Sequence, residues 1–262
     1  MSVRTANLYT ALVDDAGLFP PTSLHMEEAL ARHRRDQERG SQVLTHRFLC
    51  PASRLDGLRR ESFVPQRIGL IIDVPDIPPF EDLPVDIVEM RLPDDMSVGA
   101  LARRLAGRLP PDVRLFVEVP ARRVTGDVPD GVGLKVRCGG LSADAFPPVE
   151  HLAAFIRSCV ERGIPFKATA GLHHAVRHFD PSLGVDRHGF LNLVLATCEA
   201  VEQRDPAVAL RTTDVGRIVQ FALAVPTDTA ERARRLLVSY GSCNTSAPVA
   251  DLRALGLIEE DV

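Results

Sequence analysis

Apolar positions along the chain gather into short runs separated by longer amphipathic stretches. Eight runs stand out: TALVD (10–14), VLTHRFLC (43–50), RIGLIID (67–73), VDIVEMRL (85–92), VRLFVEV (113–119), VGLKVRC (132–138), PFKATA (165–170) and RLLVSY (235–240). Each is rich in Val, Ile, Leu or Phe and stops at Pro, Gly or a polar turn, as buried strands do. Helical spacing predicts helices between several of them. SLHMEEALARHRRDQ carries Ser23 as N-cap with Met26 and Leu30 on one face, and MSVGALARRLAGRL repeats Leu101, Leu105 and Leu109. PPVEHLAAFIRSCVERG starts at Pro and ends at Gly163, while SAPVADLRALG has Ser246 as cap and Gly256 beyond its end. Between strands seven and eight, HGFLNLVLATCEAVEQ and TTDVGRIVQFALAV predict two further helices. The junctions 73–85 and 119–132 are too short or too rich in Pro for a full helix.

Eight strands alternating with helices predict one α/β domain over residues 1–262. Its simplest closure is a (β/α)8 TIM-type barrel, irregular after strands three and five. An open doubly wound sheet is the alternative, but no Gly-rich fingerprint follows strand one.

Strand parity then locates the charges, since alternate side chains point to opposite faces. Asp73, Glu89 with Arg91, Glu118, Lys135 with Arg137, and Lys167 with Thr169 each oppose a set of apolar neighbours. The outer face of a barrel strand packs on helices, so the charged parity is the inward one. All these charges fall late in their strands, at the end where barrel enzymes keep their sites. Ion pairs filling the barrel are the structural alternative, because an unpaired interior charge costs several kcal/mol.

Lys135 and Lys167 belong to neighbouring strands and share the inward face. Two close ammonium groups and partial burial would each bring a lysine pKa down from ~10.4 toward neutrality. The resulting amine can attack a carbonyl and form a Schiff base, with Glu118 and Glu89 moving protons. LKVRCGG, followed about thirty residues later by FKATAGLH, resembles the paired lysine strands of class I aldolases of the deoxyribose-phosphate aldolase type. That resemblance implies Lys135 as the nucleophile and Lys167 as its electrostatic partner. Val136, Arg137 and Cys138 stand where the family has small hydroxyl residues, and Arg137 offers a clamp for carboxylate or phosphate. The whole chain is also similar to a bacterial family with AGLFPP, FKATAGLHH, HGFLN and GSC segments, to which no established activity attaches.

His173, His174 and His178 follow strand seven, and His188 opens the next helical stretch. His173, His188 and Glu89 supply an alternative His/carboxylate site for a divalent metal ion. Thr169, Gly171 and His173 after strand seven, with Gly241 and Ser242 at the end of strand eight, form a candidate anion cradle with Arg91, Arg137 and Asp73 nearby. Asp14 and Asp15 end strand one and are expected at the mouth, with Phe19-Pro20-Pro21 as a rigid rim loop. Cys138 and Cys243 read as structural thiols.

Composition narrows the partners. A net charge of −4 with scattered arginines leaves no basic footprint for nucleic acid. The absence of Trp argues against an aromatic platform for sugars or single strands. No apolar stretch reaches the ~20 residues of a membrane span, and the five Cys form no C-x-x-C pair, so a cytoplasmic protein is expected. The expected activity is that of a lyase or aldolase without cofactor, acting on a small carbonyl compound bearing carboxylate or phosphate. A metal-dependent lyase, isomerase or hydrolase and a non-catalytic sensor are the alternatives, and homo-oligomerisation stays open.

Overall fold

In the computed structural model, residues 6–122 and 126–259 are described. Eight parallel strands close into a barrel, at the places the apolar runs predict. They are β1 (Val13–Asp15), β2 (Leu44–Pro51), β3 (Ile68–Ile72), β4 (Val85–Arg91), β5 (Arg114–Val119), β6 (Val132–Arg137), β7 (Phe166–Thr169) and, after a small hairpin, β10 (Leu237–Ser242), which pairs with both β7 and β1. The hairpin, β8 (His178–Asp180) with β9 (Val185–Arg187), is antiparallel and lies outside the barrel sheet.

The outer layer consists of α1 (Ala6–Tyr9), α2 (Met26–Arg39), α3 (Leu55–Arg59), α4 (Val98–Leu105), α5 (Val149–Glu161), α6 (Phe190–Val201), α7 (Pro206–Arg211), α8 (Val215–Ala224), α9 (Thr227–Leu236) and α10 (Ser246–Ala254). The described residues of the 73–85 and 119–132 junctions carry no helix, as their length and prolines predict; residues 123–125 lie outside the described part. His25, rather than Ser23, occupies the N-cap of α2, and Ser23 instead takes a left-handed φ of 48° in the preceding turn. Thr245, not Ser246, is the N-cap of α10. Between β7 and β10 there are four helices where the pattern predicts two. The pattern misses α7 because it is short, and α9 because it buries only Thr229, Ala230 and Ala233 beneath a charged surface.

Parity decides the core. Phe48, Leu70, Val88, Val117, Val136 and Phe166 face outward and join the apolar cluster beneath the helices. Every residue of α6 is buried, because this helix is covered in turn by α5, α7 and α9. The inward positions belong to the opposite set. Gly133 leaves room there for the Phe116 ring, which a Cβ at Gly133 would approach to 2.4 Å. Gly69 does the same for Leu49, at 2.5 Å. The barrel interior above Phe116 is therefore free for polar groups.

Candidate active site

The inward side chains form one chain of alternating charge along the barrel. Arg67 contacts Asp86 at 2.8 Å, and Asp86 contacts Arg47 at 2.8 Å. Arg47 reaches Asp14 at 2.8 Å, and Asp14 pairs with Lys167. Lys167 meets Glu89 Oε1 at 2.8 Å; Glu89 Oε2 meets Lys135 at 2.7 Å. Lys135 continues to Glu118 at 3.0 Å, which ends the chain on Arg137 at 3.2 Å. The hydroxyls of Thr45 and Ser239 each donate to Asp14 at 2.6 Å, so both of its oxygens are fully engaged. This alternation of opposite charges is what permits so many of them at 0–7% exposure in one barrel.

The electrostatics follow from this alternation. Burial disfavours the charged form of Lys135, but Glu89 and Glu118 outweigh it and hold the ammonium above its ordinary range. Burial likewise opposes ionisation of Glu89, Glu118 and Asp14. The Lys135 and Lys167 charges on Glu89, Lys135 and Arg137 on Glu118, and Lys167 and Arg47 on Asp14 win in each case, and all three lie below the ordinary carboxylate range. The expected mutual depression of the two lysines is therefore corrected for Lys135. Glu89 lies between the ammonium groups and turns a repulsion into two attractions.

Two cavities open at the C-terminal ends of the strands, of about 580 Å³ and about 310 Å³. Both are lined by Ile71, Glu118, Lys135 and Arg137. Lys167 lines neither and is 1% exposed, sealed beneath Glu89 and over the Phe116 ring at 5.8 Å. The larger cavity adds Glu89, Arg91 and Arg122; the smaller adds Thr169, Gly171, His173 and Gly241. All of these but Arg122 are predicted residues, and they are brought together around Lys135.

Two predicted residues depart from the site. Asp73 lies just past β3, is exposed, and accepts from the Ser53 backbone N–H at 2.9 Å and its hydroxyl at 2.5 Å. Ser242 has outward parity on β10 and donates to the Asn244 carbonyl at 2.8 Å, so only Gly241 of that pair faces the cavity. Asp14 is deeper than the mouth, and Asp15 turns outward to Arg32 and His33 of α2.

For the metal alternative, Glu89 has both oxygens on lysines, while His188 contacts the Pro147 carbonyl at 2.8 Å and Arg177 at 3.2 Å. Among the described residues no group of three or more His, Cys, Asp or Glu is arranged to hold a metal ion. Burial lowers the pKa of His173 and of His188. His173 Nδ1 stands 3.8 Å from Cys243 Sγ, on the wall of the smaller cavity, a pairing their separation of seventy positions conceals.

Sequence reasoning passed over Arg47, Thr45, Ser239 and Arg122. The first two share parity with Leu49 in VLTHRFLC, a signal blurred by His46, whose φ of 53° breaks the strand's regularity. No protein-family model matches the chain, and no curated protein matches it. Among the described residues no helix is long and apolar enough to cross a membrane.

Proposed function

We propose that the protein is a carbon–carbon lyase of the aldolase type, working in the cytoplasm on a small carbonyl compound through an imine on Lys135. One observation carries the reading: Lys135 is the lysine that lines both cavities, and its ammonium rests on two carboxylates at 2.7 and 3.0 Å. Lys167, buried behind Glu89, positions that carboxylate and keeps it ionised.

The proton balance suits this arrangement. The Lys135 ammonium passes a proton to Glu89 or Glu118, and the free amine adds to the substrate carbonyl. The same proton returns to the carbinolamine hydroxyl, which leaves as water. Net, ammonium and carbonyl give iminium and water, without exchange with solvent. The iminium draws electrons from the bond between the α carbon and the hydroxyl-bearing β carbon. As the β-hydroxyl proton moves to Glu118, that bond breaks, one aldehyde departs, and the electron pair forms an enamine. Protonation of the enamine carbon and hydrolysis of the imine release the second product and restore the lysine. The first transfer, from the Lys135 ammonium, runs uphill, since the ammonium lies above and the carboxylates below their ordinary ranges; the contacts at 2.7 and 3.0 Å give the proton its path.

Intact-mass analysis after borohydride reduction with a panel of aldehydes and keto acids tests this. An adduct in the wild type and in Lys167→Ala, absent from Lys135→Ala, is the expected result. A folded wild type giving no adduct with any carbonyl defeats the reading.

A further inference from the structure

Lys135 stands at the joint of two cavities whose walls differ in kind. Apart from the shared Glu118, Lys135 and Arg137, no Asp, Glu, Lys or Arg among the described residues lines the smaller one. Its wall is Ala16, Phe19, Pro20, Pro21, Leu49 and Leu141, closed by the backbone of Thr169–Gly171. Leu141 is an apolar side chain 74% exposed at its rim.

The larger cavity is charged. Arg91 and Arg122 line it, and among the described residues neither makes an ion pair. Asp94 and Asp144 line it too, and Asp144 accepts the Ser142 hydroxyl at 2.5 Å. These four charges cancel. The internal chain starts on Arg67 and ends on Arg137, five cations against the four carboxylates Asp86, Asp14, Glu89 and Glu118. Both ends of that chain are exposed cations, Arg67 at 44% away from the mouth and Arg137 at 51% at the mouth. The cavity's formal charges balance, and Arg137 is the exposed guanidinium offered there beside Arg91 and Arg122. Arg91, in register with Glu118, lies beside it.

We infer that the substrate is a two-armed carbonyl compound. Its anionic arm lies in the larger cavity by Arg91, Arg122 and Arg137, and its neutral, apolar arm lies against Phe19, Leu49 and Leu141, with the carbonyl at Lys135 between them. The inference rests on the imine reading for the place of the carbonyl, and it reverses the expectation of an anion cradle at β7 and β10. That wall offers backbone and apolar side chains, without a cation of its own.

The probes are 4-oxooctanoate, its methyl ester and 4-oxopentanoate, with the corresponding 4-hydroxy compounds, which cannot form imines. Calorimetric binding of the hydroxy compounds reads the two arms, and borohydride trapping of the oxo compounds reads the imine. The wild type should bind 4-hydroxyoctanoate at least tenfold more tightly than its ester, and at least tenfold more tightly than 4-hydroxypentanoate. Arg91→Ala with Arg122→Ala should erase the first preference and keep the second; Phe19→Ser with Leu141→Ser should do the reverse. All four are surface or partly exposed positions, so both variants should fold. Loss of both preferences in either variant, or a wild type showing neither, overturns the inference. Trapping without arm preference leaves the imine reading intact and defeats this one. Arm preference without trapping defeats the imine reading and leaves the two-armed ligand standing.

Discussion

Glu89 bridges Lys135 and Lys167, one carboxylate oxygen at 2.7 Å from the first ammonium and the other at 2.8 Å from the second. The group is 1% exposed, and with Glu118 its charge holds the buried Lys135 ammonium above its ordinary range beside Lys167.

Glu89→Gln should therefore destabilise the fold by about 3–5 kcal/mol, the cost of stripping one partner from a buried pair. The same change should bring Lys135 down toward neutrality and speed its reductive methylation at pH 8. Urea unfolding and peptide mapping measure the two effects. Unchanged stability would show that solvent already screens this centre.

Acid should unfold the protein through the same network. Asp14, Glu89 and Glu118 all lie below their unfolded values, because neighbouring cations outweigh their burial. Their stabilisation is full above the unfolded carboxylate range near ~4 and is lost as pH falls through the lower folded values. The urea midpoint should hold steady above about pH 5 and drop steeply below about pH 4. Asp14→Asn should flatten that acid limb; an identical slope in the variant would remove Asp14 from the account. Lys135 contributes with the opposite sign, its share being lost only as pH rises above ~10.4.

Gly171 has a φ of 75°, and a Cβ there would meet Gly139 Cα at 2.8 Å and the Cys138 carbonyl at 2.9 Å. Gly171→Ala should cost about 1–3 kcal/mol in backbone strain and push apart the loops after β6 and β7. Imine trapping on Lys135 should slow in parallel, as read by the rate of borohydride-fixed adduct. A variant with wild-type stability would mean the two loops separate freely.

Of the five thiols, Cys243 should react first with iodoacetamide, because it lines a cavity. Burial pushes Cys50, Cys138, Cys159 and Cys198 up to about 12 and keeps them as thiols. A ligand in the smaller cavity should protect Cys243, and mass mapping of the alkylated peptides shows the order. Prior labelling of any other cysteine counts against the cavity as drawn.

The chain's own pattern of apolar runs determines the barrel, since eight runs of buried-strand composition separated by helix signals admit few closures. Period-two parity also places Glu89, Glu118, Lys135 and Lys167 on the inward face, because that rule depends on local backbone geometry alone. Asp73 escaped it, because parity holds only while a chain stays in the sheet and Asp73 has left β3; Ser242 obeys it, pointing outward on β10, and its expected place at the mouth came from the Gly-Ser turn instead. The tertiary structure alone decided which charges meet. Asp14 and Lys167 are separated by 153 positions and Cys243 and His173 by 70, and closure of the barrel sets them in contact. Ring closure brings β10 against both β7 and β1. Pairwise Coulomb energies depend on distances of a few ångströms, and no spacing along the chain encodes those for residues on opposite walls. For that reason the sequence supplied two lysines and predicted repulsion, whereas the fold put a carboxylate between them.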